Sequence, residues 1–118
     1  MGDSFKDLLV WQRAIQLTVS IYKFTADFPS TEQFGLTNQL RRSAVSIASN
    51  IAEGYGRRSR GEYLQFLGIA RGSVCELQTQ LVIAAELTLG RQNLCAKSDS
   101  LSVEVSRMLI TMMKKLSN

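Results

Sequence analysis

The chain is 118 residues long, enough to bury a core without metals or disulfides and a length that points to a single domain over 1–118. Hydrophobic residues make up 45% of it, with one proline, eight glycines and a net charge of +4, which describes a folded, helix-rich protein with a mild excess of base. It has no histidine, so the usual general base and metal ligand are missing; no apolar run nears the roughly 20 residues of a membrane span, and Met1-Gly2-Asp3-Ser4 lacks the start of a secretion signal. A cytoplasmic protein with no cofactor, no metal and no membrane contact is expected.

The first helix is predicted from Ser4, whose hydroxyl is spaced to cap with Asp7 three residues on, to about Asp27. Phe28-Pro29 ends it, because the residue before a proline is pushed out of the helical region. Two apolar stripes run along this helix. One holds Leu8, Trp11, Ile15, Val19, Tyr22 and Ala26; the other holds Val10, Ala14, Leu17, Ile21, Phe24 and Phe28. Their centres lie about 140° apart, whereas a bundle helix needs one face a little over 100° wide. The surplus implies a second partner, most simply another copy of the chain, and Val10, Leu17, Ile21, Phe24 and Phe28 are the residues assigned to that interface. The alternative is an asymmetric bundle that buries the first helix deeply.

A second helix is predicted over about Phe34 to Tyr55, with a short turn at Ser30–Gln33 before it. Leu36, Leu40, Ala44, Ile47 and Ile51 recur at helical spacing, and Ser43, Ser46, Ala48, Ser49 and Ala52 leave the remaining sides small. Arg42 and Glu53 are eleven residues apart on one face, too far to pair directly; an ion pair to Glu76 or to a neighbouring chain is the expected role. Asn50, beside Ile47 and Ile51, is expected to bond to another helix. Gly54 and Gly56 stop the helix.

Ser59 and Glu62 form a capping box for a third helix reaching about Leu89. Its main stripe includes Tyr63, Phe66, Leu67, Ala70, Val74, Leu77 and Leu81, while Ile69, Ile83 and Leu87 make a separate patch. Gly90 precedes a fourth helix, about Gln92 to Leu116, where Lys114 and Lys115 suit the C-terminal dipole. Strand-like alternation is absent. The connections are short, so the expected fold is all-α, an antiparallel up-down four-helix bundle. Cys75 and Cys95 lack metal or redox spacing and read as buried thiols.

Charge is concentrated. From Arg41 to Arg60 there are five arginines and one acid, Glu53. The turn Glu53-Gly54-Tyr55-Gly56-Arg57-Arg58-Ser59-Arg60-Gly61 combines glycines, forked donors and an aromatic ring ahead of a helix N-terminus, which suits a phosphate-bearing ligand. It lacks the lysine and spacing of a P-loop. An ordinary interhelical turn with a solvated basic face explains the same residues.

Phe5-Lys6-Asp7-Leu8, Val10-Trp11, Phe28-Pro29, Phe34-Gly35-Leu36 and Gln39-Leu40-Arg41-Arg42-Ser43-Ala44-Val45-Ser46-Ile47, followed by Ser49-Asn50-Ile51-Ala52-Glu53-Gly54, Phe66-Leu67, Ile69-Ala70, Gly72-Ser73 and Glu76-Leu77, resemble the four-helix-bundle family of 23S rRNA intervening-sequence proteins. The chain departs in having Ala48 where the family commonly has proline, and in lacking an aromatic after Leu89-Gly90. The resemblance implies a ring of five subunits. It also implies kinship with the basic, pentameric accessory proteins of diversity-generating retroelements, which bind nucleic acid and a reverse transcriptase. No enzymatic activity or cofactor is implied.

The expected function is therefore that of a non-enzymatic homo-oligomer binding structured RNA or RNA/DNA through Arg41, Arg57, Arg58, Arg60 and Arg71 as phosphate contacts. Its partners would be itself, RNA or DNA, and a reverse transcriptase or other protein. The alternative is an interaction scaffold that docks an acidic protein partner.

Overall fold

The computed structural model describes residues 4–118; Met1–Asp3, read above for a secretion signal, lie outside the described residues. Four helices, α1 (Leu9–Thr25), α2 (Leu36–Tyr55), α3 (Arg60–Glu86) and α4 (Gln92–Ser117), run up and down in turn, with no strand among the described residues. Each helix packs against its two neighbours in the order α1–α2–α3–α4–α1, forming a rod of 44 × 23 × 22 Å. The all-α bundle expected from the periodicity is present.

The helix ends differ from the expected ones for local reasons. The Ser4 hydroxyl accepts from the Lys6 amide and its carbonyl from the Asp7 amide, which closes a single 3-10 turn over Phe5–Asp7. The chain then extends at Leu8 before α1 begins. Phe5 folds back edge-on against Trp11, with ring centroids 5.3 Å apart, and the Gln12 amide donates to the Lys6 carbonyl. Before α2, Ser30–Glu32 form a 3-10 turn. The Glu32 carboxylate then accepts from the Leu36 amide at 3.1 Å, so the helix starts at Leu36 rather than Phe34. α2 runs unbroken through Ala48, so alanine in place of proline leaves it without a break. α3 stops at Glu86, short of Leu89, because the chain turns through Thr88 at φ 53°. Leu89 N–H donates to Ala84 C=O and Thr88 N–H to Ala85 C=O, the paired bonds of a Schellman ending. Gly90 follows at φ 69°, with the Phe24 and Phe28 rings so close that a Cβ would meet Phe24 at 2.6 Å.

The core draws on all four helices: Ala14, Leu17, Ile21 and Phe24 from α1, Leu40, Ala44, Ile47 and Ile51 from α2, Leu67, Val74 and Leu77 from α3, Val105 and Leu109 from α4, all fully buried. Each such Leu, Ile or Phe contributes about 1.5–3 kcal/mol on leaving water. This corrects one expectation. Val10, Leu17, Ile21, Phe24 and Phe28, assigned to a subunit interface, are no more than 9% exposed within their own chain. Their stripe points into the bundle, so no second copy can reach it. The other α1 stripe is the one left in water, with Ile15, Val19 and Tyr22 at 37%, 49% and 43% exposure.

Polar side chains inside the bundle are paired. Ser20 and Ser98 hydrogen-bond across α1 and α4 at 2.7 Å, and Gln78 donates to Ser102 across α3 and α4. Between α2 and α3, Ser46 bonds Ser73 and Ser43 donates to Gln80. Asn50 donates to the Ser46 carbonyl and hydroxyl within α2; its link to α3 is thus indirect, through Ser46. Cys95 is buried as expected, whereas Cys75 is exposed on α3.

Candidate nucleic-acid interface

The α2–α3 turn is built around two glycines and a serine. Gly54 is buried where a Cβ would lie 2.9 Å from the Phe66 Cβ and 3.0 Å from the Tyr63 ring, so α3 crosses the end of α2 at backbone distance. Gly56 closes α2, with its amide donating to Ala52. Ser59 then starts α3: its Oγ accepts from the Glu62 amide at 3.1 Å and donates to the Glu62 carboxylate at 3.2 Å. The serine half of the predicted capping box forms, while the Glu62 carboxylate takes the Ser59 hydroxyl rather than its backbone amide. This also means that this helix start is already capped, with an acid in its first turn, so its attraction for an outside anion is reduced.

The arginines of the turn are held in different ways. Arg57 pairs with Glu53 one turn back at 2.7 Å and lies over the Phe66 ring at 4.7 Å. Within the chain Glu53, expected in an ion-pair network with Arg42, thus has Arg57 as its partner. Arg60 donates to the Asn118 carbonyl at 3.1 Å. Arg58 is exposed on the turn between them. Tyr55 meets Tyr63 edge-on, centroids 6.2 Å apart, so its ring already packs within the turn. Burial, and secondarily Tyr55, push the Tyr63 hydroxyl pKa up.

The Arg60–Asn118 bond shows what the up-down order does to charge. The end of α4 comes beside the start of α3, bringing Lys114 and Lys115 to the same end as Arg57, Arg58 and Arg60. Lys6, just ahead of α1, belongs to this end as well. Lys114 and Lys115, which by periodicity alone suit a helix dipole, are placed here by the antiparallel order of the helices. Asp27, Glu32 and Glu86 lie at the opposite end, where Arg91 pairs with Asp27 at 2.9 Å.

Arg41 and Arg71 lie elsewhere. Arg41 is fourteen residues up α2 from Tyr55, about 21 Å along the axis. There it lies over the Tyr22 ring at 4.4 Å, and its Nε donates to Thr25 Oγ1 at 2.9 Å. Arg71 is eleven residues, about 16 Å, along α3 from Arg60 and is exposed. Three of the five predicted arginines therefore gather at one end. Arg42 and Glu76 line one groove between α2 and α3, of about 350 Å³, but no ion pair joins them among the described residues.

No three acidic or cysteine side chains cluster to hold a metal among the described residues, and no described helix is long and apolar enough to cross a membrane.

Comparison with known proteins agrees with this fold. A crystal structure from Bacteroides thetaiotaomicron, of a protein with unknown function from the S23 ribosomal protein family, matches with a TM-score of 0.80 at 25% identity, over 90% of this chain and 99% of that one. No curated protein matches. Residues 6–111 match the family described as 23S rRNA-intervening sequence protein. With nearly the whole bundle inside that match, the chain belongs to the 23S rRNA-intervening sequence protein family.

Proposed function

We propose that this protein is a non-enzymatic cytoplasmic homo-oligomer whose basic end binds the phosphate backbone of structured RNA or RNA/DNA. The observation that carries the reading is the convergence of Arg57, Arg58 and Arg60 with Lys114 and Lys115 at one end of the rod, opposite the end carrying Asp27, Glu32 and Glu86. Cations drawn from two segments make a surface rather than a line, and each phosphate they neutralise releases counterions. Such contacts position a nucleic acid without reading its sequence. The exposed strip Ile15, Val19 and Tyr22 supplies the apolar area for self-association, and family resemblance favours a five-membered ring and, as a protein partner, a reverse transcriptase.

A second reading, a scaffold docking an acidic protein partner, is favoured by Phe34, which is 88% exposed at the end away from Arg57, Arg58 and Arg60. Binding of a labelled RNA hairpin separates the two. Replacing Arg57, Arg58 and Arg60 together by alanine abolishes retention at low salt under the first reading; unchanged retention would refute it.

A further inference from the structure

Two strips on this chain are left largely open by its own helices, although Arg41 lies over the Tyr22 ring. On α1 the strip is Ile15, Val19 and Tyr22; on α3 it runs through Ile69, Gly72, Glu76 and Ile83, with Ile69 and Ile83 46% and 43% exposed. Gly72 stands in the middle of a long helix, where glycine weakens helical structure. A Cβ built there would meet nothing within 4 Å, so packing within the chain gives no reason for it. Glu76 on this strip, and Arg42, which lines a groove with Tyr22 of the first strip as well as one with Glu76 of its own chain, are exposed and enter no ion pair among the described residues.

We propose that these strips are the two halves of one heterologous contact between copies. The α1 strip of one molecule lies on the α3 strip of the next, with Val19 against Gly72 and Arg42 facing Glu76. This rests on the self-association proposed above and assigns its surfaces.

Spacing, direction, height and charge all agree. Ile15 to Tyr22 and Ile69 to Glu76 each span seven residues, about 10 Å. α1 and α3 run the same way in the bundle, so copies with aligned axes bring them together in parallel. α2 serves as a ruler for height. Thr18 reaches the Ala44 carbonyl and Arg41 lies over Tyr22 on one side, while Ser46 bonds Ser73 on the other. Val19 and Gly72 therefore lie within about one helical turn, ~5 Å, of the same level. Arg42 and Glu76 bring opposite charges to their respective strips, and the guanidinium fork fits a carboxylate. A residue without a side chain lets the facing helix approach closely. One molecule carries both halves on different faces, so the contact repeats head to tail and closes a ring if its rotation permits.

The test is light scattering at micromolar concentration on wild type, Glu76→Arg, Arg42→Glu and Gly72→Gln, with circular dichroism to follow folding. Wild type is expected at a multiple of 13.1 kDa, and each charge reversal alone at or near that single-chain mass. Mixing the two charge-reversal proteins restores species heavier than one chain, because every contact between unlike copies again joins opposite charges; a pair within one chain would gain nothing from mixing. Gly72→Gln keeps the helical content of wild type by circular dichroism yet loses assembly. Assembled wild type with all three variants equally assembled, or no recovery on mixing, overturns this contact while leaving self-association standing. Wild type that stays at 13.1 kDa at every concentration overturns both.

Discussion

Ser20 and Ser98 face each other across the α1–α4 seam and share one 2.7 Å hydrogen bond, with both side chains buried. Removing one hydroxyl strands the other in an apolar surround. Ser20→Ala or Ser98→Ala alone is expected to lower stability by about 1–3 kcal/mol, and the double replacement by less than the sum. Urea unfolding of the four proteins in the cycle measures the coupling.

Gly90 is fixed by both its backbone and its surroundings, having φ 69° with the Phe24 ring against it. Gly90→Ala adds left-handed strain and a clash with a buried ring, and is expected to destabilise the bundle by about 3 kcal/mol. A fall in thermal midpoint measures it; an unchanged midpoint would contradict this account of the α3–α4 connection.

Thr88 is the converse case, a β-branched residue at φ 53° where the Schellman ending favours glycine. Its side chain is exposed and bonds the neighbouring Leu87 carbonyl. Thr88→Gly is expected to raise stability by about 1 kcal/mol, read as a higher denaturant midpoint with an unchanged slope.

Arg58→Ala, Arg60→Ala and Lys114→Ala should each flatten the slope of log binding constant against log salt by about one, for structured RNA. Arg41→Ala should leave that slope unchanged, since Arg41 lies in the α1–α2 groove against Tyr22 and Thr25. Equal effects from Arg41 and Arg58 would show that binding is not confined to the rod end.

The two thiols should separate under alkylation. Cys75 is exposed, while Cys95 is buried and its pKa is raised, first by that burial and then by Asp99. Thiolate is the reactive form, so iodoacetamide is expected to label Cys75 in the native protein and Cys95 only on unfolding, as read by mass spectrometry.

Fold class and the order of helices were legible from periodicity, and the Ser59–Glu62 cap was legible from two residues alone. The choice between the two α1 stripes was not. Both are apolar at the same spacing, and the side that meets α2 and α4 is set by where those helices lie, which no periodicity within α1 encodes. The rod-end cluster was half legible. Arg57, Arg58 and Arg60 adjoin in sequence, whereas Lys114 joins them only because α4 returns beside the start of α3. Arg41 misled because it is a neighbour of the turn by composition but sits about 21 Å up the helix.

At one end of the 44 Å rod Lys6, Arg57, Arg58, Arg60, Lys114 and Lys115 outnumber Asp7, Glu53 and Glu62, whereas at the other Lys23 and Arg91 stand against Asp27, Glu32 and Glu86, a lengthwise asymmetry of charge. In the field of a polyanion such a body feels a torque before it feels a contact, and turns cation-first as it diffuses inward. Under the proposed function approach and docking are one motion, and adding salt would slow the encounter by weakening that alignment as well as the final grip.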